Sequence, residues 1–286
     1  MPETRHGSDV PRSGRVDVNT VPASCGWRWV RTGFALFRKN PAMWAFLVFS
    51  YIMLMQLLGM IPVLGWFAAT VLIPVFSASF MIVSREIDRG NRLGFALLFS
   101  GFRSNPAALL RQGGIYLASA LAILGLTALV DGGVLLQLMT LGERPPAAAF
   151  EDGSLAGAAA LAGTLYLPVL AAFWFAPALS AWRNLPALQA LFYSLIASFR
   201  NWRAFVAYGI ALLLLGLACS FALFLLALLV RGLLANKSQD AFLLVVLPVM
   251  LTYVPTLFAS FYASYRDIFP QPETEAEPEA AADAQQ

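Results

Sequence analysis

Residues 40–84 read NPAMWAFLVFSYIMLMQLLGMIPVLGWFAATVLIPVFSASFMIVS, without a single charged side chain. A transmembrane helix takes about 20 apolar residues to cross roughly 30 Å of hydrocarbon, so this stretch is long enough for two. Pro62 and Gly65 stand near its middle, where they favour a turn over one long kinked helix. We therefore predict a tight hairpin of two spans, 41–60 and 62–84.

The composition of the whole chain is that of a membrane protein. Of its 286 residues 59% are hydrophobic and 12% charged, whereas soluble domains average about 25% charged residues. A soluble fold could not hide so much apolar surface, because it needs a polar shell. Four more segments are long and apolar enough to cross a bilayer: 107–130, 155–182, 204–230 and 241–265. The sequence thus predicts an all-α, polytopic helix bundle of six transmembrane helices, forming one domain over 24–270.

Polar tails flank this domain. Residues 1–23 contain the only histidine, His6, and lack the short apolar core of a signal peptide, so no cleavage is expected. Residues 271–286 are acidic and have almost no large apolar side chain. Because neither tail has enough apolar surface to offset the entropy of ordering, both are predicted to be disordered.

The basic residues indicate the orientation of the spans. Sixteen of the nineteen Lys and Arg residues belong to one side of the predicted membrane domain. The other side has three: Arg144, Arg231 and Lys237. Because connections rich in Lys and Arg remain in the cytoplasm, the first side is predicted to be cytoplasmic. An even number of spans then puts both termini there as well.

The longer cytoplasmic connections are amphipathic. Residues 24–38, 93–103 and 187–200 each carry aromatic or leucine side chains at helical spacing, with an arginine near the end. These apolar positions are Trp27, Val30, Phe34 and Phe37, then Phe95, Leu98, Phe99 and Phe102, then Leu188, Leu191, Phe192, Leu195 and Phe199. Such helices lie in the membrane plane, with apolar side chains in lipid and arginines at phosphates. We call them elbows.

The elbows end in nearly the same residues, which suggests an internal repeat. The endings are Phe37-Arg38-Lys39-Asn40-Pro41, Phe102-Arg103-Ser104-Asn105-Pro106 and Phe199-Arg200-Asn201-Trp202. Asn is suited to cap the N-terminus of the following span, and Pro is well tolerated at its first position. The predicted architecture is a threefold repeat of elbow, span and span.

The even-numbered spans carry a second repeated pattern. Each has a Pro, followed at spacings of two by three apolar residues of similar type, beginning at Pro74, Pro168 and Pro255. Arg85 and Arg266 follow their prolines by eleven residues, whereas in the fourth span Arg183 comes a turn later. The prolines are interpreted either as ordinary helix kinks or as hinge positions around a central cavity.

Arg38, Arg103 and Arg200 are the candidate site residues for lipid headgroups. The plainer interpretation makes them interfacial anchors. The more specific interpretation is that they bind anionic headgroups between an elbow and a span. The lipid bilayer is the expected partner, and nucleic acid is not expected, because the aromatic residues are required in the bilayer.

The opening of the chain resembles a known family. The resemblance rests on Val21-Pro22-Ala23-Ser24, Gly26-Trp27-x-Trp29, Gly33-Phe34-x-Leu36-Phe37 and Asn40-Pro41-x-x-Trp44. These letters are similar to those of uncharacterised bacterial six-span inner-membrane proteins, over roughly residues 21–270. More distantly, the repeat resembles the membrane domain attached to some glycerophosphodiester phosphodiesterases, although no catalytic domain of that kind is present. The first resemblance implies the bacterial inner (plasma) membrane as the location.

No catalytic, cofactor-binding or metal-binding residue is predicted. Metal sites need clustered His, Cys or carboxylate ligands, and this chain has one histidine and two distant cysteines, Cys25 and Cys219. Coupled transport usually requires ionisable groups within the bilayer. Asp131 is the nearest candidate, and a place in an interfacial loop is the favoured interpretation.

These observations favour a non-enzymatic inner-membrane protein. The roles in view are a scaffold, a partner subunit or a lipid-interacting factor. The alternative is a permease for a small molecule or lipid, and a membrane enzyme is the least favoured. A polar cavity between the even spans would favour the permease, whereas a tightly filled bundle would favour the scaffold.

Overall fold

The computed structural model describes residues 16–142, 144–233 and 239–270, within which every element is helical. In chain order the helices are α1 (Cys25–Lys39), α2 (Pro41–Gly59), α3 (Leu64–Asp88), the 3₁₀ helix η1 (Phe95–Arg103), α4 (Pro106–Asp131), α5 (Val134–Leu141), α6 (Ala147–Glu151), α7 (Ser154–Phe173), α8 (Ala176–Arg183), α9 (Ala187–Arg200), α10 (Trp202–Leu233) and α11 (Gln239–Ile268). Residues 1–15 and 271–286 of the predicted tails lie outside the described residues.

The predicted hairpin is confirmed. Helix α2 ends at Gly59 and α3 begins at Leu64, which leaves a four-residue turn. Val63 takes a positive φ of 61°, a conformation that strains a β-branched residue. Gly65 lies so close to the carbonyl of Leu58 that a Cβ there would collide with it. The glycine is therefore required by the tight turn.

Five helical stretches are long and apolar enough to cross a membrane. They are Pro41–Gly59, Leu64–Asp88, Pro106–Asp131, Ser154–Arg183 and Trp202–Leu226. The sixth predicted span, 241–265, falls within α11, but the side chains of 241–249 lie outside the described residues.

All three elbow segments are helical and pack across the ends of spans. Helix α1 contacts α10 and α11, η1 contacts α3, and α9 contacts α7 and α8. Glycines permit this close packing. Gly33 of α1 lies against the carbonyl of Thr256, and Gly101 of η1 lies against that of Val75, so that a side chain at either would overlap backbone. We call the side of the molecule that carries the elbows the elbow side.

The prediction of which α1 residues face lipid is partly wrong. Trp27 and Phe34 are exposed as expected, but Val30 and Phe37 are buried. Trp29, which the pattern left out, is 1% exposed and packs against Phe205 of α10 at a ring distance of 5.6 Å. Protein rather than lipid covers this face, because α1 lies on the neighbouring spans.

The fourth span is broken, and a side chain from α9 enters the break. The helix stops at Phe173 and resumes at Ala176. The Ser194 hydroxyl accepts a hydrogen bond from the Phe175 amide at 2.9 Å and donates one to the Ala171 carbonyl at 2.9 Å. It thus replaces the i→i−4 bond that continued helix would have made, a recognised cause of sharp bends.

Candidate lipid-headgroup interface

The three candidate arginines lie at the ends of three separate elbows. Arg38 is the penultimate residue of α1, and Arg103 and Arg200 are the last residues of η1 and α9. All three are exposed, and an exposed aromatic residue, Phe102 or Phe199, directly precedes the latter two. The structure does not bring the arginines together into one site. It presents them singly, each beside the first turn of a span.

Asparagine caps two of these spans as predicted. The side-chain oxygen of Asn40 accepts a hydrogen bond from the Met43 amide at 3.2 Å, and that of Asn105 accepts one from Ala108 at 3.4 Å. A proline occupies the first helical position of both spans. Asn201 differs, because its side chain accepts from the Val21 amide and donates to the Asn19 carbonyl, at 2.8 and 2.9 Å. It therefore fastens the chain ahead of α1.

Two aspartates tie α11 to other elements on the elbow side. Asp88 at the end of α3 accepts hydrogen bonds from Arg266 and from the Tyr262 hydroxyl. Asp267 accepts from the Trp29 indole at 2.8 Å and from Arg28 at 2.9 Å. That carboxylate, through hydrogen bonding and charge, raises the pKa of Arg28. These bonds neutralise basic residues that would otherwise face solvent or lipid headgroups.

Arginines at the ends of the fourth and second spans rest on aromatic rings. The Arg85 guanidinium lies 5.0 Å from the centre of the Trp182 ring, and that of Arg183 lies 5.7 Å from Phe269. Cation–π contacts of this kind stabilise by about 0.5–1 kcal/mol at exposed sites. Arg183 also donates to the Pro270 carbonyl at 2.6 Å. These arginines are held within the protein, unlike the three elbow arginines.

The space between the even spans is filled by aromatic rings. Phe80 stacks on Phe258 with 4.2 Å between ring centres. Trp174 lies 4.4 Å from Phe261, and Trp182 lies 4.7 Å from Tyr265. The rings join α3, the α7–α8 break, α8 and α11 into one core. This part of the bundle is tightly filled.

The three candidate hinge prolines do not share one environment. Pro74 and Pro255 are buried, whereas Pro168 is exposed on α7. Hydroxyl groups near the buried pair bond to their own helices. Ser79 donates to the Val75 carbonyl and Thr256 to that of Thr252. This arrangement agrees with kinks of packed helices.

Asp131 serves as a local cap. It is 7% exposed, and its two oxygens accept hydrogen bonds from the amides of Gly133 and Leu135, at 2.9 and 2.7 Å. The carboxylate thus holds the turn between α4 and α5, in agreement with the interfacial-loop interpretation. Among residues 16–142, 144–233 and 239–270, no three His, Cys, Asp or Glu side chains cluster as they would around a metal ion.

The chain is 38% identical over 255 residues to a protein of Burkholderia thailandensis described as a probable inner membrane protein. The similarity covers 87% of this chain and 92% of that one. The chain belongs to its family. No family model matches the chain, and no solved structure does. The distant resemblance to the membrane domain of glycerophosphodiester phosphodiesterases has no support in these comparisons.

Membership of this family and the five apolar spans make the chain a multi-pass inner-membrane protein.

The sequence analysis missed three residues that contribute to the elbow side: Asp88, Asp267 and Arg203. The two aspartates carried a signal, since acidic residues are scarce among the basic connections of that side. Arg203 follows the third repeated ending by one residue, where it was counted only toward topology.

Proposed function

We propose that this inner-membrane protein is a non-enzymatic scaffold that holds anionic lipid headgroups at its three elbows. The observation that carries the proposal is the exposure of Arg38, Arg103 and Arg200 at the elbow ends. By contrast, four other arginines of the same side are paired with carboxylates or stacked on aromatic rings, namely Arg28, Arg85, Arg183 and Arg266. An arginine near a membrane surface gains about 1 kcal/mol from anionic lipid. Three such residues give a selective, reversible attachment to headgroups.

The filled centre supports a scaffold over the second candidate, a permease. Rings with centres 4.2–4.7 Å apart occupy the space where a path between the even spans would run. One observation favours the permease, namely the broken span between α7 and α8, since broken helices line the binding sites of transporters. That break is closed by Ser194, so the scaffold remains the better proposal.

The proposal includes six spans in three repeated units, with α11 as the sixth span. The cyclic order of the elbow contacts supports it. Each elbow lies on the even span of the unit before it: η1 on α3, α9 on α7 and α8, and α1 on α11. A threefold repeat closed into a ring requires this order. Parallel units of two spans also place both termini on the elbow side, which the basic residues predict to be cytoplasmic.

Lipid-dependent stability tests the scaffold. Ligands that bind only the folded state raise the unfolding midpoint. We expect phosphatidylglycerol added to the detergent-purified protein to raise the midpoint more than phosphatidylcholine does. The triple variant Arg38→Gln, Arg103→Gln, Arg200→Gln should lose that difference. Arg144→Gln, an exposed arginine of the opposite connection, is the matched control and should retain it. A full response from the triple variant would refute the proposal.

A further inference from the structure

We call the interface between the even span of one repeated unit and the odd span of the next a seam. One of the three seams is open. In the first seam α3 packs closely on α4, where Gly113 faces the Val71 carbonyl. In the second, α11 packs on α2. The equivalent pair is α7 and α10, which make at most marginal contact within the part of each helix that the structure describes. A lateral groove of about 360 Å³ lies there instead.

The walls of this groove are apolar and face the lipid. One wall is formed by Pro168 and Leu170 of α7 and by Trp174 in the break after it. The other wall, from α9 and α10, includes Phe199, Trp202 and Val206. Leu170, Phe199, Trp202 and Val206 are 42–61% exposed. Trp174 closes the inner end by packing on Phe205, with 5.3 Å between ring centres. The groove is thus a slot that opens sideways, toward acyl chains.

The lining of the groove favours an acyl chain as its occupant. It is aliphatic and aromatic apart from Ser198, whose hydroxyl already donates to the Ala171 carbonyl. Such a groove buries methylene groups favourably and offers no hydrogen-bond partner to a polar side chain.

Two arginines lie next to wall residues at the elbow end of the groove. Arg200 directly follows the wall residue Phe199, and the Arg203 guanidinium lies 5.6 Å from the ring centre of the wall residue Trp202. Both arginines are exposed, and Arg200 reaches Thr20 with only a long contact of 3.4 Å. No Asp or Glu occurs between residues 184 and 210. The positive charge at this end complements an anionic headgroup.

We propose that the seam between α7 and α10 is a specific site for one anionic phospholipid of the elbow-side leaflet. Its phosphate lies at Arg200 and Arg203, and one acyl chain lies in the groove and completes the third seam. The inference rests on the proposed function and deepens it, because it makes the third elbow differ from the other two. Arg38 and Arg103 lie at the ends of elbows where the neighbouring spans pack closely. They therefore bind headgroups, but no groove beside them accepts an acyl chain.

Native mass spectrometry of the full chain tests this site. Dioleoylphosphatidylglycerol and dioleoylphosphatidylcholine are titrated separately, and the first retained lipid is quantified. At about 1 kcal/mol for each arginine, the variant Arg200→Gln, Arg203→Gln should weaken phosphatidylglycerol retention by roughly tenfold or more, and phosphatidylcholine retention little. Arg103→Gln, at a closed seam, should leave the first phosphatidylglycerol in place.

A groove-filling variant tests the chain slot independently. Val206→Trp puts bulk into the groove from a lipid-facing position, so we expect it to fold and to lose the first retained lipid of either kind. Leu217→Trp is the matched control, because Leu217 is 59% exposed on the same helix, about three turns from Val206, and does not line the groove. Unchanged retention in Val206→Trp overturns the inference. Equal losses in Arg103→Gln and in the double variant Arg200→Gln, Arg203→Gln also overturn it, yet leave the proposed function standing.

Discussion

At the scale of single residues, close helix packing depends on a few glycines with unequal surroundings. In α4, a Cβ added at Gly113 would overlap the Val71 carbonyl of α3, whereas one added at Gly114 meets nothing within 4 Å. Membrane helices associate largely through such small-residue contacts, because lipid offers no hydrophobic drive between them. Two adjacent glycines thus have opposite sensitivities to the same substitution.

Gly113→Ala should destabilise the protein, and Gly114→Ala should not. Overpacking a close contact costs about 1–3 kcal/mol. At Gly114 the same change adds helix propensity, about 1 kcal/mol in favour of Ala. Thermal unfolding of the detergent-purified protein, followed by tryptophan fluorescence, should show a lower midpoint for the first variant alone. Equal midpoints for the two variants would contradict the packing.

A pair of substitutions at Asp267 should separate the contributions that its two hydrogen bonds make to stability. Asp267→Asn keeps an acceptor for the buried Trp29 indole but removes the ion pair with Arg28, whose side chain is 62% exposed. Exposed ion pairs contribute at most about 1 kcal/mol. Asp267→Ala also leaves the indole N–H without its acceptor, at a further cost of about 1–3 kcal/mol. Unfolding midpoints should therefore fall slightly for Asn and clearly for Ala, and identical losses would show that the indole bond is unimportant.

At the scale of elements, the break between α7 and α8 depends on a side chain from another helix. Ser194 of α9 bonds to both sides of the break, while Ser198 donates only to the Ala171 carbonyl, at 3.1 Å. The carbonyl thus has two donors, but the Phe175 amide has a single acceptor in this contact. The geometry of the fourth span is therefore set from outside it.

Ser194→Ala should loosen the break more than Ser198→Ala. The first variant leaves the buried Phe175 amide without its acceptor, which costs about 1–3 kcal/mol. The second leaves Ser194 in place to satisfy both groups. Hydrogen exchange of the amides around Phe175 should accelerate in Ser194→Ala only. The expectation fails if both variants exchange alike.

The sequence predicted the elements that depend on local physics. Runs of apolar residues predicted the spans, Pro62 and Gly65 predicted the hairpin, and the Asn-Pro pairs predicted capped helix starts. The break at Trp174–Phe175 was not predicted, because it depends on a hydroxyl nineteen residues away in the chain. The burial of Trp29 was missed for the same reason, since spans distant in sequence cover it. The groove is a gap between helices, and periodicity within one helix does not reveal it.

At the scale of the whole molecule, the proposed six-span arrangement predicts that most of the basic charge lies on the side of the three elbows. Sixteen of the nineteen Lys and Arg residues belong to that side in the six-span arrangement. The charge is not uniform, because Asp88 and Asp267 neutralise part of it next to α11. The exposed arginines left for lipid include those at the three elbow ends, together with Arg31, Arg92 and Arg111.

Topology reporters should place this side in the cytoplasm. Fusions after Asp17 and after Gln271 should report the cytoplasm, and a fusion near Ala147 should report the opposite compartment. The physical reason is the retention of Lys- and Arg-rich connections during insertion. Removing the four arginines of residues 85–106 leaves twelve basic residues against three, so this control variant should keep the same reporter readings. An exported C-terminal reporter would eliminate the six-span arrangement.

The contact of α1 with α10 and α11 has a consequence for biosynthesis. The ribosome makes α1 first, and its partners last, so the Trp29 face has no cover until the chain is nearly complete. Contacts between distant parts of a chain form slowly, because a long loop must close before they can form. We therefore expect α1 to remain uncovered at the membrane surface during translation, until α10 and α11 have been inserted. Nascent chains stalled before Trp202 should display Cys25 to thiol reagents that the finished protein, with Cys25 1% exposed, excludes.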